Sequence, residues 1–367
     1  MNSASGGHPR GDRRAWMPRR GKVLRRLLNI AVVLGSLGGL AWLMAAQHDQ
    51  LGRAITGVGH ARLGTVVAAV ACERVSMISF ARVQVRLLRA GGQRLTLMSA
   101  ISIVVAGNAL SVSVPVAGPG LAVAFTYREL DRRQIKHPAA AFALAVSGVL
   151  STMSLIVVVA AGLLASGNTV AAAFGLLAAA AVAAGTGGAV LALRVPACRR
   201  LAERTAVGAV RAVQRLRRKP GEPPEAVVAR ALRQLADLHL RRRDWALAVA
   251  LAFLNWLGDA ACLALSIQAA GLNIPLRDLL LVWSAGQAAG SISLTPGGAG
   301  VVEAALVAAM AAVGMPAARA AVAVVIYRLI SLWLVLLAGW ILFILIRSRR
   351  TRRTATPREP AGPASGP

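Results

Sequence analysis

Long apolar runs dominate the chain, and their lengths predict helices that cross a membrane. Crossing the hydrocarbon core of a bilayer, roughly 30 Å thick, takes about 20 apolar residues in a helix. Two further runs, 97–126 and 279–315, are apolar but interrupted by Pro and Gly. The pattern therefore predicts an all-α integral membrane protein. Its six full spans are expected at 27–46, 62–80, 139–164, 170–193, 245–270 and 320–346.

The composition supports a bundle of membrane helices. Hydrophobic residues make up 56% of the 367 residues and aromatic residues only 4%, and the mean hydropathy is +0.62. This is too apolar for an ordinary soluble enzyme, and the many Ala and Gly residues allow helices to pack closely in lipid. The run Leu27–Ala46 lacks a small-residue cleavage site, so we expect it to be retained as a helix rather than removed as a signal peptide.

The positive charge is distributed as in a membrane protein. A formal net charge of +28 could indicate nucleic-acid binding, but most of the 42 Lys and Arg residues lie beside apolar runs. Basic residues flank the cytoplasmic ends of spans and attract the anionic inner leaflet. We therefore expect a multi-pass protein of the plasma (inner) membrane with both termini in the cytoplasm, and no nucleic-acid partner. The basic stretches are 1–26, 81–96, 127–138, 194–244 and 347–367.

The two interrupted runs are predicted to be re-entrant hairpins. Because the basic loops 81–96 and 127–138 should both be cytoplasmic, the segment between them enters and leaves on the same side. Its middle contains Asn108, Pro115 and Pro119, and Pro breaks a helix as a re-entrant tip requires. The segment 279–315 is predicted to form a similar hairpin that enters from the opposite side of the membrane. Two full crossings by short helices remain an alternative there.

The two predicted tips resemble each other in sequence. Ser111–Gly120 and Ser291–Gly300 share the order Ser-x-Ser followed by Pro and Gly. Each half then consists of helix, helix, broken hairpin and helix, and the second half begins near residue 170. Because the halves start on opposite sides of the membrane, the repeat is inverted. Inverted repeats with broken helices are a transporter architecture.

The chain outside the spans divides into three basic segments. Residues 1–26 form a cytoplasmic N terminus, and residues 347–367 form a cytoplasmic tail that is expected to be disordered. Residues 194–244 form an insertion within the membrane domain 27–346. Its second helical piece, 225–242, has an apolar stripe among Arg residues, which fits either a helix on the membrane surface or a solvated connector.

Ionisable residues inside the apolar runs are the candidates for chemistry. We find no phosphate-binding loop, nucleophile elbow or metal-ligand spacing, and therefore expect no cofactor and no metal. Charges at membrane depth are costly and usually face a bundle interior or a wet cavity. They could equally be ion pairs that hold helices together. The five such residues are Glu73, Arg74, Asp259, Glu303 and Arg328.

The second tip combines features that suit an anion. A helix is expected to start near Gly300, so that its free N–H groups lie deep in the membrane and attract phosphate. Glu303 lies in that first turn, where it either caps the helix or holds a cationic group. The guanidinium of Arg328 matches two phosphate oxygens. Hydroxyl groups come from Ser291, Ser293 and Thr295.

These motifs resemble a known family. The stretch Ser293–Glu303, followed by Tyr327-Arg328-Leu329 and then Trp333 and Gly339, is similar to the signature of the lysylphosphatidylglycerol synthase transmembrane family, also described as flippase-like. The stretch from Asn108 through Pro115 to Tyr127 resembles the first signature of that family. The resemblance covers about residues 27–346. It implies functional roles for Pro296, Gly297, Gly298, Gly300, Glu303, Tyr327 and Arg328.

The resemblance also implies a function. In well-understood members, this domain is fused to a cytoplasmic domain that lysylates phosphatidylglycerol, and the membrane part flips the product outward. Because the last predicted span ends at residue 346 of 367, we expect the transfer domain to be absent and the chain not to be an enzyme. The expected function is translocation of an aminoacylated phospholipid or another lipid with a phosphate-bearing head group. The alternative is a non-transporting membrane partner of a cytoplasmic lipid-modifying or glycosyl-transfer enzyme.

Overall fold

The computed structural model describes residues 63–114, 117–165, 241–292 and 295–355, together with isolated positions between 167 and 229. This part of the chain contains helices and no β-strand, which confirms the all-α membrane class. The predicted span 27–46, most of 170–193 and most of the insertion 194–244 lie outside the described residues. The helices are α1 (Leu63–Ala90), α2 (Leu97–Ser113), α3 (Gly118–Arg132), α4 (His137–Ala165), α5 (Arg242–Ala269), α6 (Leu276–Ile292), α7 (Val301–Ala312), α8 (Ala317–Arg328) and α9 (Val335–Ala355).

Four helical runs are long and apolar enough to cross a membrane. Three of them are α1, α4 and α5, and the fourth is the continuous run Ala317–Ser348. The fourth joins α8 to α9 through a π-helical segment, Leu329–Leu334. These runs coincide with four of the six predicted spans. The protein is therefore a multi-pass membrane protein.

Two predicted cytoplasmic loops are largely helical, so their predicted limits were wrong. Helix α1 continues to Ala90 through most of 81–96, and α3 continues to Arg132 within 127–138. The hydrophobic pattern marks the part of a helix that lies in lipid, whereas Arg is itself a good helix former and lets the helix continue. Only residues 91–96 and 133–136 connect the helices there.

The interrupted runs form two helical hairpins. In the first hairpin, α2 ends at Ser113 and packs against α3, which begins at Gly118. In the second, α6 ends at Ile292 and packs against α7, which begins at Val301. Helix α2 has 17 residues and α7 has 12. At 1.5 Å per residue they are about 25 and 18 Å long, less than the thickness of the hydrocarbon core. Their re-entrant placement in lipid stays a prediction.

The tips of the two hairpins meet inside the bundle. The second tip contains a single 3₁₀ turn, Pro296–Gly298, in which Gly297 has φ 62°. This left-handed conformation favours Gly. A Cβ built on Gly297 would lie 3.1 Å from Val112 of α2 and 2.9 Å from Leu332 of the π-helical segment. The tip therefore packs directly between the first hairpin and the last span.

The order and packing of the helices repeat in the two halves. A long helix, a hairpin and a long helix occur first as α1 to α4 and again as α5 to α9. Helices α1 and α5 share the most extensive contact, while α4 packs against α6 and α9 packs against α2. The last helix of each half thus packs on the hairpin of the other half. Both features agree with an internal repeat, and its inversion stays a prediction.

Candidate functional site

A polar cavity lies between the two hairpins. Its volume is about 960 Å³, which is at the upper end of the range for ligand pockets. Both hairpin tips contribute to its lining, as do α1, α4, α5 and α8. The two tips thus share one cavity.

Asp259 is the centre of a hydrogen-bond network in this cavity. Its Oδ2 accepts hydrogen bonds from Nε1 of Trp283 at 2.8 Å and from Nε2 of Gln287 at 2.9 Å. Its Oδ1 accepts a hydrogen bond from the hydroxyl of Tyr327 at 2.9 Å. Three neutral donors on two helices, α6 and α8, therefore hold this carboxylate. Hydrogen bonds to a charged group are roughly twice as strong as those between neutral groups.

Glu73 lines the same cavity without comparable partners. The residue is only 4% exposed, and its Oε2 is buried without a hydrogen-bond partner. The carboxyl group lies close enough to Asp259 for the two to repel each other electrostatically. One turn further along α1, Ser76 donates a hydrogen bond to Oδ1 of Asn255. The cavity therefore contains two acidic groups in very different surroundings.

Arg328 and Glu303 form a buried ion pair that fastens the second tip. Nε of Arg328 donates to Oε1 of Glu303 at 2.7 Å, and their side chains are 11% and 8% exposed. Oε2 of Glu303 accepts a hydrogen bond from the N–H of Gly300, also at 2.7 Å, which caps the start of α7. Nη2 of Arg328 donates to the carbonyl oxygen of Gly297. The last span therefore holds both ends of the tip.

The structure brings together most, but not all, of the predicted site residues. Eight of the other candidates line the cavity as Arg328 does, whereas Glu303 lies behind Arg328, and Arg74 is exposed and away from the cavity. Pro296 opens the 3₁₀ turn, Gly300 precedes α7, and Ser291 lines the cavity while donating to the carbonyl of Gln287. Pro115 and Ser293 lie outside the described residues. The eight are Glu73, Asn108, Asp259, Ser291, Thr295, Gly297, Gly298 and Tyr327.

Sequence reasoning missed the two donors on α6. Trp283 and Gln287 are four residues apart, so both lie on one face of the helix. A Gln in an apolar run is a usable signal, because a polar side chain in lipid needs a partner. The serines of α4 that line the cavity, Ser147 and Ser151, were also missed. Their small hydroxyl groups are common in apolar helices and gave no signal of their own.

Replacing Tyr327 by Phe tests the network around Asp259. The change deletes only the hydroxyl that donates to Asp259, and losing one hydrogen bond to a charged group should cost about 1.5 kcal/mol of unfolding free energy. Equilibrium unfolding in mixed micelles measures this cost. The other tyrosine of the chain provides the control, because the hydroxyl of Tyr127 bonds to the exposed ring of His137. Equal effects of Y327F and Y127F would contradict the prediction.

Fold and site together define the class of protein: a multi-pass α-helical membrane protein with a charged cavity between two broken hairpins. Residues 26–339 match the family model described as "Lysylphosphatidylglycerol synthase TM region". The chain belongs to this family, which confirms the resemblance seen in the motifs around Glu303 and Arg328. It is accordingly a membrane domain related to lipid handling. No curated protein matches the sequence.

Proposed function

We propose that the protein is a lipid translocase that moves a lipid with a phosphate-bearing head group, such as an aminoacylated phospholipid, across the plasma membrane. The observation that carries the proposal is the cavity shared by both hairpin tips, with Arg328, Glu73 and Asp259 in its lining. A polar head group needs such an internal surface because the lipid tails around the bundle offer it no partners. The acyl chains would stay in the surrounding lipid.

Arg328 is the proposed phosphate ligand. Its Nε is engaged by Glu303 and its Nη2 by Gly297, while its Nη1 has no hydrogen bond to the described residues. The two fixed contacts leave the guanidinium only one orientation at the edge of the cavity. A donor held in this way loses little conformational entropy when it binds a phosphate oxygen.

The carboxyl groups across the cavity make it suitable for a head group of mixed charge. Glu73 and Asp259 lie on α1 and α5, whereas Arg328 lies on α8. A zwitterionic or cationic head group could therefore place its phosphate at Arg328 and its amine toward the carboxyl groups. We further propose that both termini are cytoplasmic and that the chain itself does not catalyse aminoacyl transfer. Docking of a cytoplasmic lipid-modifying enzyme on residues 194–244 stays a prediction, because the insertion lies mostly outside the described residues.

Blocking the cavity tests the proposed function. Gly148 of α4 lines the cavity, and a Cβ built there meets no atom within 4 Å. Gly148→Trp should fill part of the cavity without a backbone clash and reduce translocation at least tenfold. The assay uses proteoliposomes that contain phosphatidylglycerol or its lysyl derivative with a labelled head group, and it measures accessibility to an impermeant quencher.

Gly64→Trp provides the matched control. Gly64 also has open space around its Cβ but is not among the cavity-lining residues. Translocation should match that of the wild type. If wild-type protein moves no lipid, or if G148W moves lipid as fast as G64W, the proposed function is wrong.

A further inference from the structure

Glu73 is a buried acidic group that no contact in the described structure explains. It is 4% exposed, lines the cavity, and its Oε2 has no hydrogen-bond partner. A buried carboxylate without donors or a counter-charge is costly, since the protein interior and the lipid solvate it poorly. A buried acid in such surroundings is therefore expected to bind a proton or positive charge from the cavity.

The charges around the cavity do not balance when every group is ionised. Arg328 is the one cation among the described cavity-lining residues, and Glu303 already neutralises it through its Nε. Asp259 has three donors that stabilise its ionised form. Glu73 has neither a cation nor a donor at Oε2, and it faces Asp259. A proton on Glu73 reduces the excess from two negative charges to one at the least cost, because two neighbouring carboxylates tend to share one proton.

We propose that Glu73 is a proton-binding site of the cavity. With the cavity free of cationic ligands, Glu73 is the neutral acid and Asp259 the carboxylate. When positive charge enters the cavity, the carboxyl of Glu73 releases its proton to cavity water and becomes the second carboxylate. When the positive charge leaves, a proton from water returns to the same oxygen. One proton thus exchanges for one positive charge.

The groups facing Glu73 come from every neighbouring element. Helix α5 contributes Asp259 and Cys262, α8 contributes Tyr327, and Cys72 is the neighbour on α1 itself. The charge of Arg328, also on α8, acts on Asp259. The residues that α2, α4 and the π-helical segment add to the cavity are uncharged, and the polar ones among them are Asn108, Ser111, Ser147, Ser151 and Ser331. Among these groups, Glu73 and Asp259 are the acids that carry charge most readily. Their pairing therefore determines the charge of the cavity.

If the protein translocates lipid as proposed above, the exchange would couple lipid movement to proton movement across the membrane. A lipid whose head group carries extra positive charge would cross in one direction while a proton crosses in the other. A pH gradient would then drive the accumulation of that lipid in one leaflet. A lipid without the extra positive charge would equilibrate between leaflets independently of the gradient.

Carbodiimide labelling tests the proton site without any transport. Dicyclohexylcarbodiimide adds to a protonated carboxyl in apolar surroundings, and the O-acylisourea formed rearranges to a stable N-acylurea. Full-length protein in liposomes should be labelled at Glu73, and peptide mass spectrometry should show labelling falling at least tenfold as the pH is raised through the range in which the proton dissociates. Glu303, paired with Arg328, is the internal control and should stay unlabelled.

Two results would overturn the proposal. Glu73 could stay unlabelled at every pH while other acids react, or the label could fall on Asp259 instead. The wild-type protein alone yields both results, so that no variant has to fold.

A transport experiment separates this proposal from the proposed function. Glu73→Gln keeps the shape and removes the exchangeable proton. In proteoliposomes with an imposed pH gradient, wild-type protein should accumulate lysylphosphatidylglycerol in one leaflet, and this accumulation should be lost in E73Q. A gradient response retained by E73Q would overturn the proton site. Absence of translocation by the wild type would overturn the proposed function, and the labelling result would still decide the proton site.

Discussion

Replacing Arg328 by Ala is expected to destabilise the protein by about 3–5 kcal/mol, because it leaves the carboxylate of Glu303 buried without its counter-charge. The same change removes the hydrogen bond from the guanidinium to the carbonyl of Gly297. The second tip then loses its attachment to the last span. Equilibrium unfolding in mixed micelles measures the loss, and lipid translocation should fall by at least a hundredfold because the proposed phosphate ligand is gone.

Three further variants show whether the ion pair is the cause. Arg319→Ala removes an exposed Arg from the same helix and should change the stability by less than about 0.5 kcal/mol. Arg328→Lys keeps the charge, but the compact ammonium group of Lys cannot bond to both Glu303 and Gly297 as the planar guanidinium does. The stability of this variant should lie between those of the wild type and R328A. The double variant E303A/R328A removes both buried charges. A double variant that loses the full sum of the two single effects would contradict the ion-pair explanation.

Replacing Gly118 by Ala is expected to open the first hairpin at its hinge. A Cβ on Gly118 would lie 1.9 Å from the carbonyl oxygen of Ser111, and a backbone atom cannot move aside as a flexible side chain does. Overpacking usually costs 1–3 kcal/mol, and a collision this close should cost about 3 kcal/mol or more. Because Ser111 and Pro119 line the cavity, translocation should decrease together with stability.

Gly120→Ala is the matched control for this hinge. Gly120 lies two residues further in the first turn of α3, and no atom lies within 4 Å of an added Cβ. Ala favours a helix over Gly by about 1 kcal/mol, so G120A should be as stable as the wild type or slightly more stable. Thermal unfolding of both variants in the same detergent gives the comparison. A G118A variant with wild-type stability would show that the hairpin can relax around its hinge.

Much of the fold could be predicted from the sequence, because lipid imposes a simple rule on a chain. A helix that crosses the membrane must be apolar over about 20 residues, so α1, α4, α5 and the last span are visible as apolar runs. The breaks at the two tips were also visible, since Pro and Gly interrupt those runs. The ends of α1 and α3 were not, because basic residues at the membrane surface are compatible with both helix and loop.

The sequence predicted which residues belong to the candidate site but not which of them pair with each other. Glu73, Asp259, Glu303 and Arg328 stand out in the sequence because charge is rare in apolar helices. Nothing in the sequence indicated that Arg328 pairs with Glu303 while Glu73 stays without a partner. Arg74 satisfied the same sequence criterion as Glu73, yet it points away from the cavity. Adjacent residues on a helix point in different directions, and only the packing of other helices decides which of them is buried.

By itself, the sequence determined that this chain is a helical membrane protein, where its helices break and which charged residues lie in apolar surroundings. These properties depend on local composition and on the thickness of the membrane. The tertiary structure alone decided that Asp259 receives three donors, that the two tips share a cavity and that Glu73 remains buried without a hydrogen bond at Oε2. These properties depend on contacts between residues far apart in the chain, and the apolar pattern of each helix does not specify its neighbours.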